Sequence, residues 1–157
     1  MKMRRSSSFA VLAILAVMLA LAGPAWAAAK PPVYTGFLSN LALGGYDPVA
    51  YFDKKRPVKG TPRHTLRHQG TTWRFSSQAN LEKFRADPAA YAPKYGGYCA
   101  WAVSQGYTAK GDPMVWRIVG SKLYLNYDAT IQARWEKDIP GFIAKAEGNW
   151  PKVLGSE

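Results

Sequence analysis

Cysteine is all but missing from this chain: 157 residues hold one, Cys99. A single thiol excludes an internal disulfide framework. Histidine is nearly as scarce, with only His64 and His68. Acid is short as well, 10 Asp and Glu against 21 Lys and Arg, for a formal net charge of +11. Only one long apolar run is present, Phe9 to Ala22, and nothing after residue 30 is apolar for long enough to cross a membrane. No Ser-His-Asp order, phosphate loop or paired-acid motif occurs.

What is present begins with an export signal. Lys2, Arg4 and Arg5 precede the apolar run, Gly23-Pro24 breaks it, and Ala25-Trp26-Ala27 offers the small-x-small pattern of a cleavage site. Residues 1–27 are therefore read as a signal peptide, with Ala29 as the alternative cut. Ser6-Ser7-Ser8 fits a twin-arginine motif poorly, and no cysteine follows the run to carry a lipid. The expected location is outside the cytoplasm, periplasmic or secreted. An unpaired thiol in an oxidising compartment must be hidden, bound or used.

Cleavage would leave about 130 residues, the size of one domain. Three of the basic residues leave with the signal, so the charge falls from +11 to about +8. Such a balance suggests nucleic acid in a cytosolic protein. Export and the lack of any RNA- or DNA-binding motif argue against that partner. Anionic envelope polymers or lipid surfaces remain as electrostatic partners, through Lys54, Lys55, Arg56, Lys59, Arg63 and Arg67, a stretch without an acid. The plainer reading of that stretch is a solvated face.

Residues 28–44 read as a flexible entry, with Pro31-Pro32 resisting regular structure. Asp47-Pro48 predicts a short helix over Asp47 to Phe52. Gln69-Gly70 predicts a two-residue hairpin turn that sets Leu66 opposite Trp73 and His64 opposite Phe75. Ser76 or Ser77 caps a helix carrying Leu81 and Phe84, and Asp87-Pro88 restarts the chain through Tyr91. Gly120-Ser121, read as a type II′ turn, pairs Ile118 with Leu123 and Trp116 with Leu125. Asp128 caps a helix with Ile131, Trp135 and Ile139 in line, Pro140-Gly141 breaks it, and a last helix follows. No internal repeat is read. The expectation is a small single α+β domain with two β-hairpins and several short helices.

Two stretches carry a family resemblance. Gly45-Tyr46-Asp47-Pro48-Val49 is one; Trp73-Arg74-Phe75-Ser76-Ser77, leading through Phe84, Pro88 and Tyr91, is the other. Together they resemble the YHS domain family, whose metal-associated members show Cys-Ser-x-x-Cys-x-x-x-Phe-x-x-x-Pro-x-x-Tyr. The run Tyr91 to Cys99 and the tail Trp135 to Gly141 resemble an exported branch of that family. The resemblance implies a YHS-like domain over 45–157 with a C-terminal helical extension. At the three positions where metal-associated relatives carry cysteine, this chain has Ala50, Ser76 and Asn80, so the soft-metal site is absent and the scaffold does not bring its chemistry along. Some relatives in the exported branch carry selenocysteine, and Cys99 is the position that corresponds.

Cys99 admits three readings: an inert buried residue, a redox or nucleophilic thiol, or a metal ligand partnered by His64 or His68. Tyr95, Gly96, Gly97, Tyr98 and Trp101 are the candidate walls of a pocket around it, the glycines letting backbone donors approach the sulfur. His64 and His68 lie roughly 13 Å apart along a strand, too far to share an ion. No metal site is expected, Cys99 and His64 being the weak candidates, and no cofactor is assigned. The leading functional expectation is a non-enzymatic envelope binding module for a metal, a small ligand or a protein. A thiol-based redox protein using Cys99 is the alternative. A catalytic cysteine needs a base or a resolving thiol, and neither is visible.

Overall fold

The computed structural model describes residues 29–155. The expected signal peptide lies outside the described residues. Among those described, no helix is long and apolar enough to cross a membrane.

The molecule is a mixed helix-and-strand domain with two separate antiparallel hairpins. In chain order the elements are α1 (Ala50–Asp53), β1 (Thr61–His68), β2 (Thr71–Phe75), α2 (Gln78–Ala86) and α3 (Pro88–Tyr91). Then come α4 (Ala100–Ser104), β3 (Asp112–Val119), β4 (Lys122–Asn126), α5 (Ala129–Trp135) and α6 (Ile139–Asn149).

Helix starts follow side-chain capping. Ser77, Asp87, Asp128 and Asp138 accept from the backbone N–H of Asn80, Ala90, Ile131 and Gly141 respectively. Pro140, expected to break a helix, instead sits in the first turn of α6, where its missing N–H costs nothing. The first helix starts at Ala50 and not at Asp47, whose carboxylate has other work described below.

The element order repeats. The sequence shows no obvious repeat, but the structure has two halves with one plan. A tight turn, Ala42–Gly45, opens the first half, and Lys94–Gly97 opens the second. Both turns run through left-handed backbone, at Leu43, Gly44 and Gly45 in one and at Tyr95, Gly96 and Gly97 in the other. Tyr46 then bridges Lys59, as Tyr98 bridges Lys110. The Asp47 N–H donates to Val58 O, as the Cys99 N–H donates to Ala109 O. A short helix, a hairpin and a capped helix follow in each half.

The hairpins share even their irregularity. Leu66 faces Trp73, as expected, but Thr61 and not His64 faces Phe75, because a bulge separates Thr61 from Thr65. The second hairpin has the expected pairs Ile118 with Leu123 and Trp116 with Leu125, and a bulge at the matching place, between Asp112 and Trp116. Each bulge holds a proline, Pro62 or Pro113. Proline cannot donate to the ladder, so regular pairing stops there. Both turns are type I′, which corrects the type II′ reading of Gly120-Ser121: Gln69 and Gly70, and Gly120 and Ser121, all have positive φ.

Two apolar clusters hold the halves. Trp73, Phe75 and Phe84 centre the first, with ring centroids 4.8 Å (Trp73–Phe84) and 5.3 Å (Phe75–Phe84) apart. Tyr95, Tyr124 and Trp135 centre the second. Each such buried aromatic contributes about 2 kcal/mol or more. Strand β4 is the seam: Leu123 and Leu125 enter the first cluster and Tyr124 the second. Part of the 28–44 segment is built into this package, with Val33 in the first cluster and the Tyr34 N–H donating to Gly96 O.

Candidate functional site

The repeated plan puts two side chains at equivalent points, just after the left-handed turn: Asp47 and Cys99. Their surroundings are built from the same elements with different residues.

Asp47 is fully buried. Its Oδ1 accepts from the Val49 N–H at 2.9 Å. Its Oδ2 accepts from the Ser76 N–H (2.8 Å), Ser76 Oγ (2.6 Å) and Asn80 Nδ2 (2.7 Å). Charge-assisted bonds of this kind are the strong ones, and four of them meet the carboxylate's needs without a cation. Ser76 and Asn80 occupy two of the three positions where the resemblance expects cysteine; Ala50, the third, is fully buried and has no side-chain donor to offer. The donors that would hold a soft metal have become donors to Asp47, so the residues present do not fit that metal. A surface depression of about 450 Å3 adjoins them, lined by Asp53, Lys54, Arg56, Val58, Ser76, Ser77 and Asn80.

Cys99 is the single free thiol and is also fully buried. The N–H groups of Trp101 and Tyr127 approach its sulfur. These are the counterparts of the Val49 and Ser76 N–H groups on Asp47; the Ala102 N–H joins them. Here the side-chain donors are gone, replaced by Tyr127 and Ile131. Burial pushes the thiol above its ordinary value, and the three backbone hydrogen bonds only partly oppose that rise. The thiol is therefore protonated at neutral pH. Asn126, also fully buried, turns Oδ1 toward Sγ (3.7 Å) and the Trp101 N–H (3.2 Å). Its Nδ2 is buried with no protein partner among the described residues.

A cavity of about 220 Å3 opens on this thiol, walled by Cys99, Trp101, Ala102, Tyr107, Ala109, Tyr127 and Ile131. Its counterpart is the depression beside Asp47: Val58 matches Ala109, Ser76 matches Tyr127, and Asn80 matches Ile131. The two halves thus carry one pocket twice, polar in the first and apolar in the second.

Of the residues expected around Cys99, Trp101 alone lines its cavity. Tyr95 and Gly96 line a different depression of about 380 Å3, between the halves. Tyr95 OH donates to Glu147 Oε1 and Tyr98 OH to Pro31 O, and both rings pack on Trp150. Gly96 and Gly97 serve the left-handed turn, and Gly96 also admits the Pro32 carbonyl against its α-carbon. Tyr95 and Tyr98 belong to the second core, whereas Cys99 lies outside it and lines the separate cavity. Local sequence could not reveal Tyr107, Asn126, Tyr127 and Ile131, which come from the loop before β3, the end of β4, the turn after it and α5. The one signal that would have found them was the repeat itself.

His64 contacts Gln78, with Nδ1 3.3 Å from Oε1, and His68 packs on Trp73 and Phe84. Neither meets Cys99. Among the described residues, no group of three or more His, Cys, Asp or Glu side chains is placed to hold a metal ion.

Residues 49–95 match the family model of the YHS domain. No curated protein and no solved structure matches the chain. The matched segment holds Ala50, Ser76 and Asn80; Cys99 and its cavity lie beyond it.

Proposed function

We propose, from the premise that residues 49–95 are a YHS domain, that this protein is a non-enzymatic binding module exported to the cell envelope. Its ligand is a small, neutral, largely apolar molecule held in the Cys99 cavity. The observation that carries this reading is the cavity itself, walled by Trp101, Tyr107, Tyr127 and Ile131 over a protonated thiol. An apolar cavity of about 150 Å3 takes benzene. About 220 Å3 therefore suits one ring with a substituent, or a small fused pair. Neither histidine meets Cys99, and the nearby Asp128 carboxylate adds to the rise of the thiol rather than activating it, which supports binding over catalysis.

The test titrates exported protein with benzene, phenol and indole and follows amide NMR shifts. Shifts centred on Cys99, Tyr107 and Tyr127, and lost in Ile131→Trp, are expected. No shift with any of the three, in a folded protein, would overturn the reading.

One observation favours a second reading, a redox thiol. Three backbone N–H groups converge on the sulfur and would stabilise a thiolate. Iodoacetamide labelling across pH separates the two. A midpoint below the free-thiol value of about 8.5 supports redox chemistry, and one above it supports the binding module.

A further inference from the structure

Phe37 and Leu38 form the tip of a turn and are the two most exposed large apolar residues described, at 98 % and 92 %. No packing role accounts for them. A lone exposed leucine needs no explanation, but an adjacent Phe-Leu pair held wholly in water does.

The chain leaving the tip leads to a hairpin whose exposed charges are basic. Two residues on, Asn40 O accepts from the Thr72 N–H at 2.9 Å, and Leu41 bridges Thr72 in parallel, so the chain leaving the tip runs along the edge of β2. Across the hairpin, Arg67 faces Thr72. Arg63 and Arg67 are both exposed on β1; Arg67, next to Leu66 in the regular ladder, lies on the side away from Trp73, and Arg63 lies within the bulge. Lys59 is exposed in the loop before β1, with Nζ donating to Gly44 O and lying 3.9 Å from the Tyr46 ring centroid, in the segment that follows Leu41. Neither arginine forms an ion pair; the four ion pairs among the described residues lie elsewhere. No acid occurs from Lys54 to Leu81.

We infer that this face docks on a bilayer leaflet rich in anionic phospholipid. Phe37 and Leu38 enter the interface while Arg63, Arg67 and Lys59 meet headgroup phosphates. Two weak signals, an apolar anchor and a basic patch, together give stable but reversible attachment where either alone is marginal. An anionic polymer would use the cations equally well but has no apolar layer for the Phe-Leu tip. That tip decides between the two partners. The inference takes export from the reading above but is independent of the cavity.

The experiment uses exported protein whose first residue is established by intact mass. It is sedimented with vesicles of phosphatidylcholine alone and with vesicles containing phosphatidylglycerol. Attachment only to the anionic vesicles, weakened by added salt, is expected. Phe37→Ser/Leu38→Ser should weaken it roughly tenfold or more. Arg63→Gln/Arg67→Gln should weaken it by a similar factor, about fivefold for each charge. All four positions are exposed, so both variants should keep the wild-type unfolding midpoint. Ile131→Trp should leave vesicle binding unchanged, which separates failure of this inference from failure of the cavity reading. Three results would overturn it: no sedimentation with anionic vesicles, equal sedimentation of Phe37→Ser/Leu38→Ser, or loss of vesicle binding in Ile131→Trp. Equal retention of wild type and Phe37→Ser/Leu38→Ser on dextran sulfate, without vesicle binding, would assign the face to a polyanion instead.

Discussion

The two halves of this molecule answer the same geometric question in opposite ways. After the left-handed turn, each presents one side chain to a ring of backbone N–H groups from the following helix and from the end of the hairpin. In the first half that side chain is Asp47, and Ser76 and Asn80 complete its hydrogen bonding. In the second it is Cys99, and Tyr127 and Ile131 stand where those polar partners would be. A carboxylate gathers donors and closes the site. A thiol accepts weakly, keeps backbone donors but no side-chain donors, and leaves an apolar cavity open. A backbone frame that repeats does not carry its chemistry with it; the side chains at three or four positions decide whether it becomes a structural anchor or a pocket.

The largest expected effect tests that contrast directly. Asp47→Ala strands the Val49 and Ser76 N–H groups and the Asn80 amide in a buried site. It should lower unfolding stability by about 3–5 kcal/mol. Cys99→Ala removes only a weakly bonded sulfur beside an existing cavity, and should cost about 1–2 kcal/mol. Denaturant midpoints of the two variants measure the gap. Equal losses would mean that the two sites are held in the same way, and the contrast would collapse.

A second test asks whether the halves share a frame at all. Gly60 and Gly111 sit at matching places before the two bulges. A β-carbon on Gly60 would strike the Arg74–Phe75 backbone, and one on Gly111 the Gly97 carbonyl and Leu125. Neither neighbour is a flexible side-chain end, so Gly60→Ala and Gly111→Ala should each destabilise by about 2–3 kcal/mol. A loss at one and tolerance at the other would show that the tight approach matters in only one half.

Much of each half was legible one segment at a time. The Ser76-Ser77 pair, Asp87 and Asp128 announced their helices, because capping is settled within three residues of the cap; the structure selects Ser77. Leu66–Trp73, Ile118–Leu123 and Trp116–Leu125 followed from two-residue turns that agree with alternation. The bulges were hidden, although Pro62 and Pro113 were their visible cause. The repeat was hidden because its literal traces are short: Gly-Gly-Tyr at 44–46 and 96–98, and Lys-Gly-x-Pro at 59–62 and 110–113. The packing residues between those traces differ, since Leu123 and Leu125 of β4 serve the first cluster as well. For the site, Cys99 and Trp101 were legible. The remaining walls come from segments distant in sequence, which no local pattern joins.

The third expected effect is smaller and depends on pH. Burial raises the Cys99 thiol in the folded state. Below the unfolded value of about 8.5 the thiol is protonated in both states and its contribution is fully present. As pH rises past that value the unfolded chain releases the proton first, so stability falls until the folded pKa is passed. Tyr51, Tyr95, Tyr98 and Tyr124 are raised by burial too and weaken the fold at still higher pH. Cys99→Ala keeps those tyrosines, so the difference between it and wild type isolates the thiol. That difference should shrink by up to about 1.4 kcal/mol for each pH unit between the two thiol values. A difference that stays constant from pH 7 to pH 10 would place the folded thiol at its ordinary value and remove the main objection to redox chemistry.

The smallest effect separates the two hairpin turns. Both are type I′ and need positive φ at both central positions. That geometry favours asparagine first and glycine second. Gln69-Gly70 has glycine in the right place but a long side chain first, at φ 50°. Gly120-Ser121 has the order reversed, with serine at φ 59° in the position that most needs glycine. Gln69→Asn should therefore stabilise by a few tenths of a kcal/mol, and Ser121→Gly by about 0.5–1 kcal/mol, since each relieves left-handed strain in an exposed turn. Neither turn lines a pocket wall around Cys99, so neither change should alter ligand shifts there. Thermal midpoints of the two variants rank the strain in the two turns. A larger gain at Gln69 than at Ser121 would mean that the second turn relaxes in solution, and that the match between the hairpins stops at the strands.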